Sequence, residues 1–315
     1  MSKSYKLFIL KLVIFIAILA GVDFLVGKGM DYLRISAFER HPNNVGMKAS
    51  FVIEKTTDDV LIIGASDASH HYIPLMIEDS VGLTVQNCGI DGSFFLFQNC
   101  LINLTLQRYS PKMIIWQFGP NYLTTSYDRL EHQNDSKLYP YYGDEYCRNI
   151  LDEQSKTLWV KMKSGMYRNN SRLFDYVHGF FVEHRFKKGY VPIETYGYEY
   201  PSVSYEIDTC SISPKKVDVL KNTIASCNTK GVKLVFAIAP SLYSEDVYNT
   251  PQYDELLSIA NEYEVPIIES RKYREYFIDS ALYKDVNHLN DKGAKLWMRY
   301  FIPELKGIIK ENIGI

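Results

Sequence analysis

The sequence predicts an α/β fold, a three-layer sandwich in which a mainly parallel sheet is covered by helices on both faces. Three observations carry this reading. Short, nearly continuous apolar runs recur along the chain, as expected of strands buried on both faces. Helix-length amphipathic segments separate them. Several of those segments carry caps at the expected ends, such as Thr250-Pro251 before "QYDELLSIANEYE" and Gly231 after "SPKKVDVLKNTIASCNTK".

The chain of 315 residues is 46% hydrophobic and 23% charged, a globular composition with ample material for a large core. Its formal net charge of −2 gives no basic surface for holding nucleic acid. Five cysteines (Cys88, Cys100, Cys147, Cys210, Cys227) form no CxxC pair. That pattern fits neither a zinc site nor a disulfide scaffold, and allows two bridges at most.

Residues 1–30 read as a membrane anchor or a signal. Lys3, Lys6 and Lys11 precede or enter an apolar stretch over 7–27 that Asp23 interrupts. That length is close to the roughly 20 residues a bilayer crossing needs. Lys11 lies near the entry, where it can snorkel to the headgroups. The leading lysines place the N-terminus in the cytoplasm, with the remainder on the far side of the cytoplasmic membrane. A signal cleaved near "AILAGVD", leaving a secreted or periplasmic protein, and a soluble amphipathic helix are the rivals. Residues 31–57 read as a linker with an initial helix and the polar loop "HPNNVG".

The domain of interest is expected over 58–315. Its strands are expected at 59–66, 83–89, 112–119, 232–240 and 265–270, with a helix over about 94–109. Residues 122–212 break the rhythm and hold 13 of the chain's 25 tyrosines, so they read as an insertion capping the sheet's C-terminal edge. The tyrosines either fill an interface or offer flat faces to sugar rings.

Ligands of open α/β sheets bind beyond the carboxyl ends of the strands. At those ends stand "GAS" with Ser66, "NCG" with Gly89, "GPN" with Asn121 and, near the C-terminus, "DVNH" with Asp285 and His288. A carboxylate three residues before a histidine can accept the imidazole Nδ1–H and leave Nε2 as a base for a serine hydroxyl. An incidental histidine beside a helix-capping aspartate is the plain alternative. Asn290 before "DKGAKLWMRYF" reads as a helix start that would hold the loop. The adjacent His70 and His71 have no carboxylate partner at metal-binding spacing, so no metal site is expected there; with Asp67 they either lie near the mouth beside Ser66 or belong to a solvated loop. Cys88, after an apolar strand, reads as a buried thiol.

Together these blocks resemble the SGNH (GDSL-like) hydrolase superfamily, named for serine, glycine, asparagine and histidine in four blocks. The resemblance covers about 58–121 and 214–310. Ala65 stands where the family has the Asp of its GDS triplet, and Tyr122 where an Asp often follows the block-three Asn. The N-terminal span looks more like the membrane-tethered branch, which includes proteins assisting alginate O-acetylation and teichoic-acid D-alanylation.

The resemblance implies Ser66 as nucleophile, His288 as base and Asp285 as its orienting partner. It implies an oxyanion hole from the Ser66 and Gly89 N–H groups and the Asn121 amide, with no metal or organic cofactor. The expected activity is a serine esterase or acyltransferase handling small acyl groups, above all acetyl, on an envelope or exported polysaccharide, with a membrane acyltransferase as a candidate partner. A non-catalytic accessory protein binding a glycan or partner, and a lipid esterase, are the other readings.

Overall fold

The computed structural model describes residues 2–119, 121–125, 130–183, 188–194, 211–242 and 248–312. At its centre lies a five-stranded, all-parallel sheet. The strands are β1 (Val60–Ile63), β2 (Val85–Asn87), β3 (Met113–Gln117), β4 (Lys233–Ile238) and β5 (Ile267–Glu269). Their order is β2-β1-β3-β4-β5, so the chain leaves β1 in one direction for β2 and returns past it to β3.

Alternation along the strands divides the core in two. Leu61, Ile63, Ile114, Trp116, Leu234 and Phe236 face one layer; Val60, Ile62, Met113, Ile115, Val235 and Ala237 face the other. The first layer is covered by α2 (Lys48–Glu54), α5 (Phe95–Arg108), α10 (Pro214–Thr229) and α11 (Pro251–Glu262). The second is covered by α3 (Ser66–His71), α4 (Pro74–Val81) and α12 (Asp291–Asn312), with Tyr72, Trp297 and Phe301 at its centre. The α/β expectation therefore holds, with each strand lying inside its predicted range. Thr250 caps α11 through its side chain, as its position before Pro251 predicts.

Much of the stretch 31–57 is helical. The N-terminal helix α1 (Lys3–Arg40) runs unbroken for 38 residues, and α2 follows it after a 3₁₀ turn over Val45–Met47. Arg34 of α1 is buried and pairs with Glu54 of α2, and Tyr141 donates to the same carboxylate at 2.5 Å. Ala49, Val52 and Ile53 of α2 enter the main core. α1 is long and apolar enough to cross a membrane by length and composition, and its apolar window is exposed throughout.

The insertion leaves and rejoins the core at a narrow neck. Thr124 pairs antiparallel with Ile212, and the Ser213 amide donates to the Leu123 carbonyl at 2.7 Å. A buried ion pair, Lys216–Glu131 at 2.8 Å, braces the neck from α10. Beyond it lie α6 (Glu145–Leu151), α7 (Leu158–Lys161), α8 (Gly165–Asn170) and α9 (Leu173–Phe181). Leu138, Cys147, Ile150, Leu158 and Met162 join the main core, while α8 and α9 pack along α1.

The tyrosines described here fill interfaces. Tyr122 lies buried against Phe95 and Phe118, Tyr142 donates to Asp152 at 2.7 Å, and Tyr176 donates to Asn169 at 3.1 Å. Tyr127, Tyr196, Tyr198, Tyr200 and Tyr205 lie outside the described residues. Cys88, Cys100, Cys147 and Cys227 are buried free thiols, and Cys210 lies outside the described residues.

Candidate active site

β1 ends at Ile63, and the chain turns through Gly64-Ala65 directly into α3, whose first residue is Ser66. The turn is tight. A Cβ on Gly64 would lie 2.7 Å from that of Ala68 and 2.8 Å from that of Gln117, so glycine is what lets the strand pass under the helix. Ser66 thus stands half-exposed beyond the carboxyl end of a strand adjacent to the centre of the sheet.

His288 meets it from the loop before α12. Its Nε2 lies 2.7 Å from Ser66 Oγ, and its Nδ1 lies 2.8 and 2.9 Å from the two Asp285 carboxylate oxygens. A carboxylate only accepts, so Nδ1 carries the proton and Nε2 accepts from the serine hydroxyl. Asp285 Oδ1 also accepts the Asn287 and His288 amides, both at 3.0 Å. Burial pushes the Asp285 carboxyl up, but these bonds and the imidazole outweigh it and hold the group below the usual carboxylate range. Asn290 fixes the loop from behind, accepting the Gly293 amide at 3.0 Å and donating to the Ala281 carbonyl at 2.8 Å.

Asn121 is buried at the end of β3, next to β1 in the sheet. Gln252 Nε2 of α11 donates to its Oδ1 at 3.0 Å, which fixes the amide so that Nδ2 is the donor end. Gly89 departs from the expectation. Its N–H donates to Asn87 Oδ1 at 2.9 Å, and a Cβ there would meet Ser69 N at 2.3 Å, so this amide is engaged within the protein against α3. Three residues on, Gly92 occupies an exposed left-handed turn with φ +66°, and its N–H meets no acceptor among the described residues.

Three further side chains frame the site, none of which was assigned a role from sequence. His71 is fully buried; its Nε2 accepts the Leu289 amide at 2.9 Å, one residue after His288. Burial, then the neighbouring His288 and His70, push its pKa well below the ordinary histidine value, so it is neutral. His70 places Nδ1 2.6 Å from the Val191 carbonyl and Nε2 3.2 Å from Asp91, with its ring 6.0 Å from that of His288. Lys48, also buried, donates to the Gly89 and Gly189 carbonyls at 2.6 and 2.8 Å, and burial lowers its pKa to about 8.

Carboxylates near the site diverge. Burial raises Asp67, and the charges of Asp285 and Asp91 add to it, against the offsetting histidines. Burial would raise Asp91 too, yet the His70 bond and the charges of His70 and Lys48 bring it to about 2. His70 and His71 thus brace the site through the Val191 carbonyl, the Asp91 carboxylate and the Leu289 amide.

The insertion reaches the same place. Residues 188–193 run beside the end of β2 and over α3: the Asn87 amide donates to the Lys188 carbonyl at 2.8 Å, and Val191 N–H donates to the Ser69 carbonyl at 3.0 Å. The Asp291 amide, at the start of α12, donates to the Ile193 carbonyl at 2.9 Å. This strap ties together the three elements that present Ser66, Gly89 and His288.

No family model matches the chain, and no curated protein matches its sequence. Solved structures are similar to it, among them these three. A lipase/acylhydrolase from Enterococcus faecalis is 11% identical, with a TM-score of 0.41, over 79% of this chain and 95% of that one. A Bacillus subtilis protein is 14% identical with a TM-score of 0.44 over 80% of this chain, which spans 57% of its length. An acetyl xylan esterase is 14% identical with a TM-score of 0.39, over 79% and 98% of the two chains.

Proposed function

We propose that the chain is a serine esterase or acyltransferase of SGNH type, acting on small acyl esters, with acetyl as the favoured group. The observation that carries this reading is the continuous hydrogen-bonded set Asp285–His288–Ser66, with 2.7 Å between base and nucleophile.

In this reading, Ser66 Oγ attacks the ester carbonyl while its proton passes to His288 Nε2. The tetrahedral intermediate collapses by expelling the alcohol, which takes that proton. Water, or an acceptor alcohol in the transferase case, then gives its proton to His288 and attacks the acyl-serine, releasing acid or a new ester and restoring Ser66. Asp285 holds the ring and balances its charge. In this reading the Ser66 amide at the first turn of α3 and Asn121 Nδ2 serve the oxyanion.

The finer reading places the enzyme in the cytoplasmic membrane through residues 7–27, with the domain on the far side and a carbohydrate hydroxyl of an envelope or exported polysaccharide as the acyl site. What supports it is the exposed apolar window of α1, preceded by lysines.

The test is p-nitrophenyl acetate hydrolysis by the full chain in detergent, beside Ser66→Ala and His288→Ala. We expect kcat to fall by about 10⁴ or more in both, with unfolding temperatures unchanged. Equal rates in all three chains would overturn the serine mechanism.

A further inference from the structure

Asp23 looks out of place in an apolar helix, and the fold gives it a partner. Its carboxylate accepts from the Ser164 hydroxyl, from the Gly165 amide at 2.9 Å and from the Met166 amide at 3.2 Å. These are the first amides of α8, which is thereby capped by a residue from another helix. Gly27, one turn further along α1, packs against Gly165 so closely that a Cβ on it would lie 2.6 Å from the Gly165 Cα. Asn169, near the end of α8, donates to Asp31 at 3.1 Å. So α8 is held along α1 over residues 23–31, where the apolar run over 7–27 ends.

The neighbouring surface is apolar and basic at once. Trp159 of α7 is 51% exposed, and Val160 and Met166 are exposed beside it. They continue the exposed apolar surface of α1, where Phe24 and Leu25 face outward. Lys163 Nζ lies 4.5 Å from the Trp159 ring and lines a cavity of about 390 Å³ shared with Asp23, Phe24, Lys28, Asp31 and Arg168. Asp23 is engaged by α8 and Asp31 accepts from Asn169, so Lys28, Lys163 and Arg168 set three cations against two carboxylates already holding hydrogen bonds. Ala20, which also lines the cavity, lies within the apolar run, so the cavity and Trp159 sit at the depth where hydrocarbon gives way to headgroups. An exposed tryptophan with lysines around it is the chemistry of that boundary.

We propose that α7 and the start of α8 form a collar seated on the outer face of the bilayer that α1 crosses, with Trp159, Val160 and Met166 entering the interface. The basic cavity receives the phosphate of an anionic phospholipid headgroup. The inference rests on the reading of α1 as a membrane span and adds a second, lateral contact that holds the domain at one tilt.

The tryptophan content makes a direct test available. Of the three tryptophans, Trp116 and Trp297 are fully buried in the α/β core, so only Trp159 can meet lipid. The full chain and its Trp159→Phe variant are placed in vesicles of phosphatidylcholine and phosphatidylglycerol brominated at carbons 6 and 7, and in unbrominated controls. We expect bromine to quench the emission that disappears in W159F by at least twofold. We also expect Lys163→Glu combined with Arg168→Glu to abolish the excess quenching given by brominated phosphatidylglycerol over brominated phosphatidylcholine.

Equal quenching of the native chain by the two lipids would overturn the headgroup site. No Trp159-dependent quenching in a protein that resists alkaline carbonate extraction would overturn the collar and leave the anchor standing. Release by carbonate would overturn both together.

Discussion

In the proposed mechanism Asn121 acts through one amide whose orientation another residue fixes. Gln252 donates to Asn121 Oδ1, which leaves the NH₂ group as the proposed oxyanion donor. Asn121→Ala removes that donor, and we expect kcat for p-nitrophenyl acetate to fall about 10²–10³-fold with little change in KM. An unchanged kcat would remove Asn121 from the oxyanion hole. His71 gives a second prediction at this scale, through pH. Its folded pKa is depressed, so below about pH 6.5 the unfolded chain binds a proton that the folded chain refuses. Stability is therefore lost as pH falls through that point, by up to about 1.4 kcal/mol per unit from this residue. His71→Gln keeps an acceptor for the Leu289 amide and has no proton to refuse. Urea unfolding at pH 7.5, 6.5 and 5.5 should show the native chain losing ground to H71Q on acidification; a gap constant with pH would refute it.

These residues also show what sequence could and could not carry. The meeting of Ser66, Asp285 and His288 was legible because each stands at a strand end or in a short spacing pattern. The capture of the Gly89 amide by the side chain of Asn87, two residues earlier, is a contact invisible to a motif. Lys48 and His71 gave no signal because their partners are backbone atoms distant in sequence, Gly189 and Leu289 among them.

At the scale of elements, the parallel strands were readable from apolar runs, and their order followed from nothing in the runs themselves. Each strand came out shorter than its run. Flanking residues such as Phe118 and Ala239 are buried just beyond the strand ends, and the Phe118 amide still donates to the Ala237 carbonyl at 2.8 Å. Residues 31–57 show a related effect. A polar loop, "HPNNVG", looks like a linker, yet Asn44 in it caps the following turn by accepting the Gly46 amide at 3.0 Å and donates to the Val182 carbonyl at 3.1 Å. Polar residues here serve internal hydrogen bonds rather than solvent. Asp23 is the same lesson inside α1: its partner, the start of α8, is more than 140 residues away.

At the scale of the molecule, the long apolar helix α1 and the domain share one packing unit. α1 carries Gly27, Arg34, Ala37 and Phe38 into buried contacts, and α8 and α9 are shaped around it. A fragment beginning at residue 31 would lose the Asp23 cap and the Gly27–Gly165 contact while keeping the whole sheet and the triad. α8 would keep the Ser164 cap on its Tyr167 amide but lose the carboxylate that accepts its Gly165 and Met166 amides. We expect this fragment to unfold at least several degrees below the full chain in the same detergent, with proteolysis first appearing over 152–183 and not within the sheet. Identical unfolding temperatures and cleavage patterns would show α1 to be a detachable tether.

The unbroken run of α1 past Gly27 also sets a height. Residues 27–40 add about 20 Å of rigid helix beyond the apolar run. Soon after its far end comes Lys48, whose amine grips the Gly89 turn beside the serine's helix. Were the apolar run to lie in a bilayer, this helix would act as a stilt that lifts the start of α2, and with it Lys48, clear of the hydrocarbon.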